Sequence, residues 1–163
     1  MKVTNKTKYK DFVQCEPFLT KESVAELKVV AEKSIRFCHT LTLEEFFGIL
    51  DGDLSVLGDL QEPSVFQVYW AKRFKDFCEE FSKSCEALTI EDPEMAGTDS
   101  GCVQITPQEN TLLFVRSYFG LRSFDEAGKI TIGEYILARK DAYNKWLVRK
   151  NYEKKQLSKM KKK

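Results

Sequence analysis

The sequence predicts an all-α protein, built as a single compact bundle of about five helices around a long central helix. Large aromatic residues recur at helical spacing between Ser64 and Ile90. Five helix starts carry a Ser or Thr cap, and three of these caps are closed by a Glu three residues later. No alternating strand pattern and no internal repeat are evident. The length of 163 residues suits one domain, which we place at residues 1–152, with a basic, disordered tail at 153–163.

The central helix is predicted over Ser64–Ile90. Ser64 stands at the cap position, and Gln67, three residues on, completes a capping box. Steps of four and three residues place seven side chains on one face of this helix: Phe66, Trp70, Phe74, Phe77, Phe81, Cys85 and Leu88. Such a stripe suits a ligand slot or a partner groove as well as a core. Because each buried aromatic removes about 150–250 Å² from water, we interpret the stripe as the core of the bundle.

The first helix is predicted to run from its cap, Thr20, to about Phe37. Leu19 and Val24 stand at the two positions of a hydrophobic staple. The buried face of this helix is predicted to consist of Val24, Leu27, Ala31 and Ile35. The preceding segment, Tyr9–Phe18, is predicted to be a short extended lead-in, because its proline disfavours a helix there.

The second helix is predicted to begin at Thr42, where Glu45 closes a capping box and Leu41 and Phe46 form a staple. Its buried side is predicted to consist of Leu43, Phe46, Phe47 and Leu50. Gly52 is expected to end the helix, because glycine readily adopts the left-handed conformation found after a helix.

Two more helices are predicted after the central one. Residues 91–104 are acidic and rich in helix breakers, which indicates a surface loop. A helix capped by Thr106 comes next, and its inward side is predicted to hold Leu112, Val115 and Phe119. The last helix begins at Thr131, where Glu134 closes the box, and its apolar face fades after Tyr152.

The composition is typical of a soluble protein, for which we expect a cytoplasmic location and no membrane partner. No apolar run approaches the roughly 20 residues that span a bilayer, and the N-terminus lacks the apolar stretch of a signal peptide. The five cysteines are odd in number and show no CxxC spacing. We therefore expect free thiols rather than a disulfide framework or a zinc site.

Charge is distributed unevenly along the chain. Between Lys145 and Lys163 there are nine Lys or Arg residues and one acidic residue, Glu153, whereas residues 1–144 carry 17 basic and 24 acidic side chains. Such a basic segment attracts phosphate backbones, docks on an acidic protein or on the acidic body of a second copy, or simply keeps a helix end soluble. Against nucleic acid, Tyr152 is the one stacking group that the segment adds beyond Trp146.

A calcium site is one interpretation of the linker Asp51–Glu62. Its acidic residues and Ser55 fall at positions one, three, five, nine and twelve of an EF-hand loop. Position six of that loop needs glycine, but this chain has Val56, a β-branched residue that strongly disfavours positive φ. We therefore expect a solvated linker between two helices.

No catalytic residue and no cofactor are predicted, and we expect that the protein is not an enzyme. His39 is the single histidine of the sequence, and no nucleophile or carboxylate stands at a suggestive spacing from it. Glu134 and Asp141 lie two turns apart on the last helix, where salt bridges to nearby basic residues are their expected role.

The last third of the chain resembles a family of phage proteins. The segment ITIGEYILARKDAYNKWLVRKNYEKKQ, preceded by FVRSYFGLRSFDEAGK, is similar in helical character and in its Thr131-x-x-Glu134 start to tail assembly chaperones of tailed phages and prophages. The resemblance implies a short helical protein of the host cytoplasm. It also implies that the protein binds the long tape-measure protein and holds it ready for tail-tube polymerisation.

We therefore expect a non-catalytic protein-interaction or assembly factor, most like a tail assembly chaperone. Its partner is expected to be another protein, a second copy, or both, held through helical apolar surfaces. The predicted partner-binding residues lie on the last helix: Ile136, Tyr143, Trp146, Leu147, Arg149, Lys150, Lys154 and Lys155. The alternatives are a nucleic-acid-associated protein that acts through the basic tail and a structural virion subunit of the connector type.

Overall fold

The computed structural model of this chain describes residues 3–15, 20–58, 60–88 and 105–160. Over these residues the fold is all-α, as predicted, with no strand and with one isolated bridge between Lys8 and Ser64. The described part of the chain forms seven α-helices: α1 (Tyr9–Cys15), α2 (Lys21–Thr40), α3 (Leu43–Leu50), α4 (Val65–Ala87), α5 (Pro107–Phe119), α6 (Phe124–Gly128) and α7 (Ile132–Met160). The predicted acidic loop at 91–104 lies outside the described residues.

The chain divides into two compact units, Met1–Ser82 and Lys83–Lys163. The boundary falls inside α4, so this helix gives most of its length to the first unit and its last turn to the second. The single domain over residues 1–152 therefore stays a prediction.

Aromatic side chains of α3 and α4 form the core of the first unit. The ring centroid of Phe46 lies 5.3–6.3 Å from those of three α4 residues: Phe74, Phe77 and Phe81. Trp70 stacks on Phe74 at 4.6 Å, and the side chains of Trp70 and Phe77 are buried. Aromatic pairs at such distances are each worth about 0.5–1.5 kcal/mol beyond their buried area. This part of the predicted α4 stripe is thus core.

The predicted capping boxes form at the helix starts. The N–H of Glu45 donates to Thr42 Oγ1 at 3.2 Å, and the N–H of Thr42 donates to Glu45 Oε2 at 2.8 Å. The same reciprocal pair joins Ser64 to Gln67, Thr106 to Glu109, and Thr131 to Glu134. Thr20 caps α2 by accepting a bond from the N–H of Ser23.

One short pattern occurs once in each unit: an apolar residue, Thr, an apolar residue, any residue, Glu and an aromatic residue. It is Leu41–Phe46 in the first unit and Ile130–Tyr135 in the second. The apolar residues that follow the two caps, Leu43 and Ile132, are fully buried, and the aromatic residue that ends each pattern is buried too. We refer to this pattern as the capping module.

The segment predicted to be an extended lead-in is partly helical, which corrects that prediction. Tyr9–Cys15 forms α1. The helix contributes to a second apolar cluster of the first unit, which consists of Val3, Phe12, Val30 and Val65. Residues 16–19 lie outside the described part.

The buried face of α2 also differs from the predicted one. Val24 is 42% exposed, whereas Val30 is 2% exposed, so the fully buried face is rotated by about 70° from the predicted one. The predicted staple stays a prediction, because its other residue, Leu19, lies outside the described residues. Among the α2 side chains that the structure describes, the buried ones are Ser23, Val30, Ser34 and Cys38; the predicted Ile35 side chain lies outside this described set. Ser34 Oγ donates to the carbonyl of Ala31 at 2.7 Å, so the buried hydroxyl has a hydrogen-bond partner. A search for apolar periodicity does not count serine, and the sequence analysis therefore missed this buried residue.

Helix ends and short helices account for the remaining differences. Leu50 and Phe119 were predicted to be buried but are exposed, each at the end of its helix. The connection after α5 contains α6, which starts with the N–H of Glu126 donating to Ser123 Oγ at 3.1 Å. The last helix continues through Met160, so residues 153–160 of the predicted basic tail are helical.

Replacing Thr42 with alanine is expected to lower the free energy of unfolding by about 1 kcal/mol, because the N–H of Glu45 loses its acceptor. Chemical denaturation followed by circular dichroism measures this change. Thr42→Ser keeps the hydroxyl and should retain most of the stability. An equal loss in both variants would show that the methyl group matters rather than the cap.

Val30→Ala and Val24→Ala test the corrected face of α2. The two variants remove the same atoms from the same helix, so helix propensity cancels between them. We expect Val30→Ala to cost about 1.5–3 kcal/mol, since it empties a buried site, and Val24→Ala to change stability by less than about 0.5 kcal/mol. Comparable losses in a urea titration would contradict the corrected face.

Candidate protein-interaction surface on the last helix

The first turns of α7 are anchored in the second unit. Ile132, Tyr135 and Ala138 are buried, and Phe114 of α5 packs edge-to-face on Tyr135 at 5.9 Å. Arg139 Nη2 donates to the carbonyls of Cys85 and Leu88 at 3.4 Å. The guanidinium thereby adds a donor to carbonyls at the C-terminal end of α4, where intrahelical partners run out; the Cys85 carbonyl also accepts from the N–H of Leu88 at 3.2 Å.

A polar cluster at the surface joins α5 to the next part of α7. Tyr118 donates a hydrogen bond to Asp141, and Lys145 forms a salt bridge with the same carboxylate at 2.6 Å. The Lys145 ammonium and the Tyr118 hydroxyl hold the pKa of Asp141 below its usual range, and the carboxylate raises the pKa of Tyr118. The predicted salt-bridge role of Asp141 is confirmed, whereas the Glu134 carboxylate closes the cap of α7.

The middle of α7 carries an aromatic pair beside a lysine. The rings of Tyr143 and Trp146 lie 5.4 Å apart, and Lys150 Nζ lies 4.4 Å above the ring of Trp146. All three side chains are half-buried. A cation over an indole face is attracted by the ring quadrupole, so this lysine is held in a defined position.

The last turns of α7 extend beyond the packed part of the second unit. Every residue from 151 to 160 is helical and exposed. Leu157 is 57% exposed and Met160 is 72% exposed. One intrahelical ion pair is present here, with Arg149 Nε 3.0 Å from Glu153 Oε1. Exposed pairs of this kind contribute little to stability, so these turns rely on propagation from the anchored part of the helix.

The helix brings six of the eight predicted partner-binding residues together. At 100° per residue, one sector about 100° wide contains Ile136, Tyr143, Trp146, Leu147, Lys150 and Lys154. We call this sector the α7 face. Arg149 lies about 60° outside one edge, and Lys155 lies about 80° outside the other. The predicted basic residues therefore do not all act on one surface.

The sequence analysis missed two apolar residues near this face, Leu157 and Met160. They follow Trp146 and Lys150 at steps of three and four residues, so they continue the same side of the helix. The surrounding lysines obscured these two residues, because the mean hydropathy of a sequence window falls as charged residues accumulate in it. The helical spacing was the signal that could have identified them.

The linker Asp51–Glu62 does not have the backbone of an EF-hand loop. Ser55–Leu57 forms a 3₁₀ turn, and no residue other than glycine has positive φ in the described part of the chain. The Glu62 carboxylate, which would be the last calcium ligand, instead accepts hydrogen bonds from Lys10 and Lys8, which lower its pKa to about 2. Asp59 lies outside the described residues.

Across residues 3–15, 20–58, 60–88 and 105–160, no group of three His, Cys, Asp or Glu side chains is placed to hold a metal ion. Nor does any helix in this part combine the length and the apolar character needed to cross a membrane.

A small cavity of about 100 Å³ lies beside the single histidine. Its lining consists of Cys38, His39, Arg73, Asp76, Phe77 and Glu80. The imidazole of His39 packs edge-to-face on Phe77 at 5.3 Å, and Arg73 pairs with Asp76 at 3.3 Å. Burial raises the pKa of the Cys38 thiol to about 11. A thiol that is buried and protonated near neutral pH is a poor nucleophile.

Comparison with protein-family models, curated proteins and solved structures gives no match for this chain. The resemblance to tail assembly chaperones thus stays a prediction.

The Cys38 thiol is expected to resist alkylation in the folded protein at about pH 8, whereas the half-buried Cys78 reacts faster. Peptide mass spectrometry after timed iodoacetamide treatment measures both rates, with urea-unfolded protein as the control. Cys38 reacting before Cys78 would contradict the buried placement.

The raised pKa of Cys38 also gives a pH dependence. Folding favours the neutral thiol, so this contribution to stability is complete below the unfolded pKa of about 9.0 and is lost as the pH rises through about 11. The stability difference between the chain and Cys38→Ala should therefore shrink over that range in urea titrations.

Proposed function

We propose that this protein is a non-catalytic assembly factor of the cytoplasm that holds a partner protein on the α7 face, most like a phage tail assembly chaperone. The observation that carries the proposal is that α7 continues as regular, exposed helix over residues 151–160, so the α7 face runs out of the packed unit at Lys150 and Lys154. Because these residues are already helical before binding, less conformational entropy is lost when a partner binds to them.

The chemistry of the α7 face supports a helical protein partner. Its apolar part consists of Ile136, Tyr143, Trp146 and Leu147, and Lys150 and Lys154 follow it along the helix. Amphipathic helices dock by placing an apolar face in a groove, with charged residues at the rim setting orientation. The fitting partner is a helix or groove with apolar residues beside carboxylates. The resemblance suggests that this partner is a tape-measure protein.

Association with nucleic acid is a second candidate, and one observation favours it. Arg149, Lys154, Lys155 and Lys159 are exposed and point to different sides of α7. Phosphate contacts require positive charge rather than a single apolar face. Binding of this kind would weaken steeply as the salt concentration rises.

The proposal is tested by capturing partners of the tagged, full-length protein from its native source in the presence of nuclease. We expect one helical protein at a defined ratio that stays bound at about 0.5 M salt, because apolar burial is not screened. Leu147→Glu, on the α7 face, should abolish the complex. Val148→Glu, at the neighbouring exposed position outside the face, is the matched control and should retain it.

Two results would contradict the proposal. If both variants retain the partner, the α7 face is not the binding surface. If protein capture disappears with nuclease and nucleic acid is recovered without it, the second candidate replaces the first. In that case Lys154→Glu combined with Lys155→Glu should weaken DNA binding and lower its salt dependence.

A further inference from the structure

One stripe on α7 has a self-complementary order of residues. Steps of three, four, three, four and three residues connect Tyr143, Trp146, Lys150, Glu153, Leu157 and Met160. These steps keep all six residues on one side of the helix. That side also contains the buried Ile132 and Tyr135. The stripe is therefore the continuation of the packed face, and its last two apolar residues are exposed.

We propose that a second copy of this chain covers the stripe, through an antiparallel pairing of the two α7 helices about a two-fold axis between residues 151 and 152. An interface of this symmetry requires that residue i meets residue j while j meets i. The stripe fulfils the condition at each position, because the pairs are Tyr143 with Met160, Trp146 with Leu157, and Lys150 with Glu153.

Charge supports this pairing. Glu153 is the single acidic residue from 145 to 163, and the two-fold axis places it opposite Lys150 of the second copy. The carboxylate is 3.0 Å from Arg149 of its own helix, and its two oxygens can accept from both cations. A parallel pairing would instead place Lys150 against Lys150, and like charges at such positions are unfavourable.

The apolar pairs provide most of the attraction. Leu157 and Met160 are largely exposed in one copy, and the pairing places them on the half-buried rings of Trp146 and Tyr143. The overlap from 143 to 160 spans about 27 Å of helix. An interface of this length is at the small end of specific interfaces, so we expect a dimer with a dissociation constant of about 1–100 μM.

The remaining charges make the salt dependence informative. Each α7 end carries many lysines, so two copies repel one another, and salt screens that repulsion. The dimer should therefore keep or gain stability between about 0.1 and 0.5 M salt. Binding to nucleic acid changes in the opposite direction over that range.

A charge exchange between the two central positions tests the proposal. Sedimentation equilibrium of the purified, nuclease-treated full chain measures the dimer dissociation constant up to about 500 μM. Lys150→Glu and Glu153→Lys each convert two attractive contacts into repulsive ones, and each should raise the constant about five- to tenfold. The double variant restores opposite charges and should return within about twofold of the original value.

An apolar variant provides a second, independent readout. Leu157→Lys should raise the dimer dissociation constant about tenfold or more. Val148 is 69% exposed and lies outside the stripe, so Val148→Lys should leave the constant unchanged. Circular dichroism checks that helix content is retained in every variant.

Three outcomes would overturn the pairing. The chain could be a monomer at all concentrations, the dissociation constant could be unchanged in both single charge variants, or the double variant could form a weaker dimer than either single variant. This inference goes beyond the proposed function and needs no other protein. Tyr143, Trp146 and Lys150 belong to both the stripe and the α7 face, so the dimer competes with the partner of the proposed function. A chain that dimerises as expected but captures no partner, even when diluted below its dimer dissociation constant, would contradict the proposed function alone.

Discussion

The start of α3 and the start of α7 depend on the same constraint, the capping module. The Thr–Glu box fixes the first helical residue, and the apolar residues on both sides of the cap fix the angle at which the chain enters the helix. A cap contributes about 1 kcal/mol, whereas burying a residue such as Leu43 or Ile132 contributes about 1.5–3 kcal/mol. The box therefore specifies the register, and burial supplies the stability. Moving either start by one residue would turn Phe46 or Tyr135 by about 100° away from its core.

Helix starts could be predicted from the sequence because capping is local. The bonds at Thr42, Thr106 and Thr131 involve partners three residues away, so the sequence contains everything that decides them. Buried faces depend on residues far along the chain. On α2 the buried face includes Ser34 and Cys38, whose small side chains suit close packing although an apolar count gives them little weight. The five-residue helix α6 was missed for another reason: its Ser123 cap precedes too few residues to establish a period.

The candidate surface was predictable only in part, for the same reason. The spacing of Tyr143, Trp146 and Leu147 predicts a common face, and the helix geometry places them on one. Whether that face packs inside the molecule or remains exposed depends on how far the neighbouring helices reach along α7. The sequence contains no local signal for that distance. The sequence analysis predicted that α7 would end near Tyr152, where its apolar face ends, and that a disordered tail would follow. The helix continues because lysine, leucine and glutamine are good helix formers.

The exposed end of α7 explains how an otherwise unpacked segment can be ready to bind. A free helix of ten residues is only marginally stable in water, because its nucleation is costly. Here the buried turns around Ile132 and Tyr135 provide the nucleus, so each further residue adds only a propagation step. Lysines in the last turns favour the helix further through the macrodipole. The anchored part of α7 thus stabilises the conformation of a surface it does not cover. Any partner, whether another protein or a second copy, then meets a preformed helix and loses little affinity to ordering it.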